Sequence, residues 1–343
     1  MPVRILLIVL ALIAIVAILA VLAIAFVTQP FVRPVRSQPL PVSPDRLKAH
    51  VRHLSVDLYP RSHDRLRNIE LAAQYILSEF RAAGGVVSVQ DVVVEGVTYR
   101  NIIARYGPAS SPTSDPVLVI GAHYDSHGDE EAGANHPAGF SPETHTPGAD
   151  DNASGVAGLL ELARLLGQKH PERPVELVAY TLEEPPHFRT EHMGSVHHAR
   201  ALSAAGTRVR LMLALEMIGY FSDEPGSQHY PLPGMGVLYP DRGNYIALVG
   251  KLSDFGAMRA CKGLMAGATG LPVLSVNAPA TVVGIDLSDH RSYWQEGFPA
   301  LMITDTAFLR NRNYHEAEDT YEKLDYRRMA QVVQAVHAIA LQY

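Results

Sequence analysis

Apolar residues run without a break from Ile5 to Val27, a length that suits a bilayer, which takes roughly 20 of them as a helix. Secretory signal cores are usually only about 7–15 apolar residues long, and no small-x-small cleavage site follows this one. Residues 5–27 therefore read as a transmembrane anchor or an uncleaved signal, behind a short flank of residues 1–4. Repeated prolines make residues 28–43 a linker, since proline suits neither helix nor sheet interiors. A single domain is expected over residues 44–343.

Within that domain two periods alternate. Ser43-Pro44-Asp45 reads as an N-cap with proline at the first helical position, and Leu47, Val51 and Leu54 continue on one face. A second helical stripe, Ile69, Ala72, Ile76 and Phe80, ends at Gly84-Gly85. Residues 86–94 and 101–106 read as strands around a turn. Pro116 to Ala122 is a short continuous apolar run, the mark of a strand buried on both faces. Further strands are expected over 174–182, 208–215, 245–249, 272–276 and 300–304, and helices over 153–168, 191–205, 254–268 and 326–341. Alternation of this kind gives an α/β fold, a three-layer α/β/α sandwich with a mixed, mostly parallel sheet.

The net charge of −6 and the lack of basic clusters argue against a nucleic-acid partner. Cys261 is the sole cysteine, so a cysteine-built zinc site and an intrachain disulfide are both excluded. Any metal must be held by His, Asp and Glu. Such residues gather where apolar strands end: His123, Asp150, Asp151, Glu183, Glu184 and Glu216. Open α/β sheets place ligands beyond the carboxyl ends of their strands, and buried acids are costly unless paired or metal-bound. Hard or borderline cations match this donor set, zinc foremost. With two metals, one carboxylate must bridge them.

The blocks GAHYDS, PGADDNASG, TLEEP, LALEMIGY, SDHRSYW and YHEAEDTYEKLD occur in this order. Together they resemble the co-catalytic zinc aminopeptidases of metallopeptidase family 28, over residues 45–343. The resemblance implies two zinc ions per chain. It makes His123 a ligand of one zinc, Asp150 the bridge, Glu184 a ligand of the other, Glu216 the completion of the first and His315 that of the second. Glu183 is then the general base. Asp151 would follow the bridging residue through an unusual peptide bond, and Asp125 would orient His123. Tyr314 is a candidate donor to the oxyanion. His290 competes with His315 as ligand, and the family pattern favours His315, leaving Asp289 and His290 beside the ligands or on the substrate side. The Tyr that some relatives carry shortly before the SDH block is replaced here by the stretch Gly284 to Leu287.

His127, His136 and His145 fall in a loop expected to be solvated, while His187 and His192 are candidates for the substrate pocket. The partners implied are peptide substrates and, through the first helix, a membrane, with the catalytic domain on the extracytoplasmic side. The leading reading is a dinuclear zinc aminopeptidase. Glutaminyl cyclase or carboxypeptidase chemistry on the same fold, or a non-catalytic binding domain, are the alternatives.

Overall fold

The computed structural model describes residues 3–38, 40–108, 115–128, 145–282 and 284–343; His136 lies outside them. In chain order the elements are α1 (Val3–Thr28), α2 (Pro44–Arg52), α3 (Leu66–Ala82), β1 (Val86–Val94), β2 (Val97–Tyr106), β3 (Val117–His123), α4 (Gly155–Gln168) and β4 (Val175–Tyr180). They continue with α5 (Gly194–Ala204), β5 (Val209–Glu216), α6 (Met235–Leu238), β6 (Ile246–Lys251), α7 (Phe255–Ala268), β7 (Val273–Ala278), α8 (His290–Gln295), β8 (Ala300–Thr304) and α9 (Tyr326–Gln342).

One eight-stranded sheet carries the fold, in the order β1-β2-β4-β3-β5-β8-β6-β7. The central strands β4, β3, β5 and β8 run parallel, so their carboxyl ends open on the same edge. Antiparallel pairing enters at β2 against β4 and at β6 against β8. Register aligns His123 with Tyr180 and Glu216 with Thr304, which brings the acid and imidazole clusters to one rim.

The period of two sorts side chains between the layers. Leu118, Ile120 and Ala122 join Leu177 and Ala179 in the core beneath α2, α3, α4 and α9. Val117 and Val119 join Val178 and Tyr180 on the opposite face, under α5 and α8. Each fully buried Leu or Val contributes on the order of 1.5–3 kcal/mol. Gly121 is fixed by this packing, because a Cβ there would lie 2.1 Å from Cε2 of Tyr180. The Ser43 hydroxyl caps α2 by accepting from the Arg46 N–H, and the Asp325 carboxylate caps α9 from Arg327 and Arg328.

α1 is long and apolar enough to cross a membrane, as an anchor or a signal peptide would require. The Pro-rich segment after it packs against the domain. Lys262 of α7 donates to the carbonyls of Thr28 and Gln29, Gln29 donates to Asn277, and the Val35 N–H donates to the Gly263 carbonyl. Phe26 stacks on Phe255 with ring centroids 4.4 Å apart. Proline removes regular structure from this stretch without removing its ability to pack.

Candidate metal centre

Two groups of donors meet at the rim. His123, Asp151 and Glu216 form one, and His127, Glu184 and His315 the other, each with ligand atoms within 4.8 Å of one another. Asp151 joins them: its Oδ1 is 3.3 Å from Nε2 of His123, and its Oδ2 is 3.2 Å from Nε2 of His315. Nε2 of His123 is also 3.4 Å from Glu216 Oε2, while Nε2 of His315 is 3.2 Å from Glu184 Oε2. Glu183 points into the first group, its Oε2 3.8 Å from the same nitrogen of His123.

The loop geometry differs from the sequence expectation at the acid pair. Asp150 is turned away from the imidazoles, its carboxylate accepting from the Gly219 N–H and from the Asn311 amide. Asp151 takes the place between the groups. The cis peptide correspondingly lies at Asp151-Asn152, one residue later than the family resemblance implies. Neighbouring side chains in the turn face opposite ways, and composition does not say which one faces the rim. The turn is held by a residue the sequence reading passed over: Asp319 accepts from the N–H groups of both Asp150 and Asp151.

Two further expectations change. His127 is buried, not solvated: its ring stacks on His315 at 4.2 Å and its Nδ1 is 3.8 Å from Glu184 Oε2. In the SDH block, Ser288 is the residue that reaches the centre, donating to Glu216 Oε2 at 2.8 Å. His290 turns away, with Nε2 donating to the Ile285 carbonyl and the ring edge-on to Trp294; burial holds its pKa down at about 4. Asp289 is buried behind the centre, and burial pushes its carboxyl up to about 7.

Asp125 receives the Glu184 N–H through Oδ2 at 3.0 Å, and its Oδ1 lies 3.6 Å from Nδ1 of His123. It therefore links strand ends β3 and β4 as well as facing the imidazole. Tyr314 stacks on His315, with centroids 3.8 Å apart. Left-handed backbone at Leu182, Met217 and His315 re-aims the chain just before Glu183, just after Glu216 and at the imidazole itself, the kind of sparsely populated conformation that concentrates at functional sites.

Burial dominates the electrostatics. It raises the Glu183 carboxyl well above the ordinary range, and Glu216, Asp289 and Glu184 add to that rise against the lowering effect of His123. Glu184 is held well below the ordinary range because His315 and His127 outweigh the effect of its burial. Oε1 of Glu184 is buried with no hydrogen-bond partner among the described residues. Converging buried carboxylates of this kind are stabilised by a cation, by neighbouring imidazoles or by taking up a proton.

The fixed positive charge nearby is Arg61, also absent from the sequence reading. Fully buried, it donates to the carbonyls of Leu54, Tyr124, Pro147 and Gly148 at 2.7–2.9 Å. Burial lowers its pKa to about 10, so it stays charged at neutral pH. Arg61→Met should cost about 3 kcal/mol or more, because buried carbonyls lose their donor and the acids lose a counter-charge. Urea unfolding of the variant, with and without added zinc, measures that loss.

A family model described as peptidase family M28 matches residues 101–243 and 258–340. The chain is 50% identical over 308 residues to the uncharacterized protein YfbL of Escherichia coli strain K12, covering 90% of this chain and 91% of that one. It is 27% identical over 266 residues to a probable leucine aminopeptidase of Arthroderma otae, covering 75% of this chain but only 61% of the relative. The fold is shared with the glutaminyl cyclase of Bacteroides thetaiotaomicron, at a TM-score of 0.64 and 18% identity, over 89% of this chain and all of that one. With the acids and imidazoles gathered at the carboxyl rim of its parallel strands, and with most of its length matched by the family model, the chain belongs to peptidase family M28.

Proposed function

We propose that this protein is a dinuclear zinc aminopeptidase, removing amino-terminal residues from peptides. The observation that carries the reading is Asp151, whose two carboxylate oxygens face different imidazoles, each imidazole beside its own glutamate. In this assignment His123 and Glu216 would hold one zinc, Glu184 and His315 the other, and Asp151 would be shared between the two groups. Bound zinc supplies Lewis acidity toward the scissile carbonyl and lowers the pKa of water.

The chain's own residues do the rest. Glu183 stands beside the first donor group without serving in either triad, free to take the proton of the attacking water and return it to the departing amine. The carbonyl carbon gains the water oxygen as the C–N bond breaks, so the acid and the free amine leave together. Ser288 and Asp125 hold Glu216 and the Glu184 backbone in place. Tyr314, fixed by its stack on His315, is placed to donate to the oxyanion.

The test joins composition to turnover. Purified protein should contain about two zinc ions per chain and release free amino acids from the amino ends of unblocked peptides. Chelation should abolish release and zinc should restore it. About one zinc with cyclisation of amino-terminal glutamine would replace the reading by a cyclase, and release from the carboxyl end would replace it by a carboxypeptidase.

A further inference from the structure

Beside the metal centre lies an apolar cavity of about 380 Å³, whose lining includes Glu216 and Tyr314. A cavity of about 150 Å³ accommodates one benzene ring, so this one exceeds what a single aromatic side chain fills. Its walls are Leu274, Val276, Met302 and Phe308, and Val27 from the last turn of α1 also lines it. Further wall comes from the segment around α6, through Leu232, Met235 and Leu238. The end of α1 and the centre thus share the lining of one cavity, through Val27 on one side and Glu216 and Tyr314 on the other.

We propose that the cavity receives a long hydrocarbon chain on the acyl side of the scissile amide, entering along the end of α1 from the bilayer. The inference rests on the exopeptidase reading, with the acyl carbonyl at the centre and its substituent in the cavity. Water-soluble residues such as leucine leave most of the space unfilled. An extended alkyl chain removes more apolar surface from water, and each added methylene strengthens binding. The clamp of Lys262 on the Thr28 and Gln29 carbonyls keeps the entrance against the helix end.

The full chain in phosphatidylcholine nanodiscs, loaded with zinc, is assayed on para-nitroanilides of alanine, leucine and α-aminododecanoic acid. Expected kcat/KM for the aminododecanoyl substrate exceeds that for leucine by about tenfold or more. Ala278→Trp and Leu274→Trp, which fill the cavity, should each collapse that ratio to within about twofold; a ratio taken within one variant is insensitive to its folded fraction. No gain beyond leucine, or a ratio that both variants leave intact, overturns the proposal. Calorimetric binding of free α-aminododecanoate against alanine reads the cavity without turnover. Tight binding of the long acid by a protein that hydrolyses none of the anilides would sink the exopeptidase reading and support the cavity's ligand class; hydrolysis with equal binding of both acids would do the reverse.

Discussion

Asp151→Asn should leave the protein folded and nearly metal-free, with zinc affinity reduced by at least about 100-fold and turnover lost in parallel. Even residues that only orient a metal ligand typically cost 10–100-fold in affinity when changed, and Asp151 faces both imidazoles directly. An amide offers one oxygen in place of two and carries no charge, so one of the two groups must lose its shared donor. Asp150→Asn provides the contrast. The Asp150 carboxyl is raised well above the ordinary range by burial and by Asp305, and it accepts from Gly219 and Asn311. A neutral side chain is a small electrostatic change there, so zinc content should persist. Atomic absorption on the dialysed variants separates the two residues. Metal retained in Asp151→Asn and lost in Asp150→Asn would return the bridge to the position first expected from the sequence.

Glu183→Gln should keep its full zinc complement while kcat falls by about 10²–10⁴-fold, the range over which a positioned acid–base group contributes. Glu183 lies outside both donor triads, and its side chain is only 8% exposed. Glutamine preserves that shape but cannot take a proton from water. The paired measurement matters, because loss of metal and loss of turnover together would make Glu183 a ligand. Unchanged turnover with full metal would remove it from the reaction.

These two experiments also mark where the sequence was readable. Apolar runs ending in His123, in Glu183-Glu184 and in Glu216 located three of the four strand ends at the rim, because parallel strands buried on both faces leave an unbroken apolar signature. The choice between Asp150 and Asp151 was not readable, since it depends on local backbone direction inside a six-residue turn. His127 was missed for a related reason. It follows a strand by only a few residues and precedes a polar loop, and nothing in composition says that the chain doubles back under His315. Arg61 and Asp319 carry no periodicity at all: their roles come from contacts to carbonyls and amides distant in sequence. A buried arginine is recognisable only once the acids and carbonyls around it have been placed.

The same long reach makes the centre depend on two segments remote from each other in the chain. His315 and the Asp319 carboxylate that grips the Asp150-Asp151 backbone lie far along the chain from that turn, with 169 and 168 positions separating Asp319 from Asp150 and Asp151. A fragment that stops short of them lacks one of the three residues of the second donor group and the brace beneath the shared aspartate. The two donor groups can therefore face each other only once that distant segment has folded back onto the ends of the parallel strands.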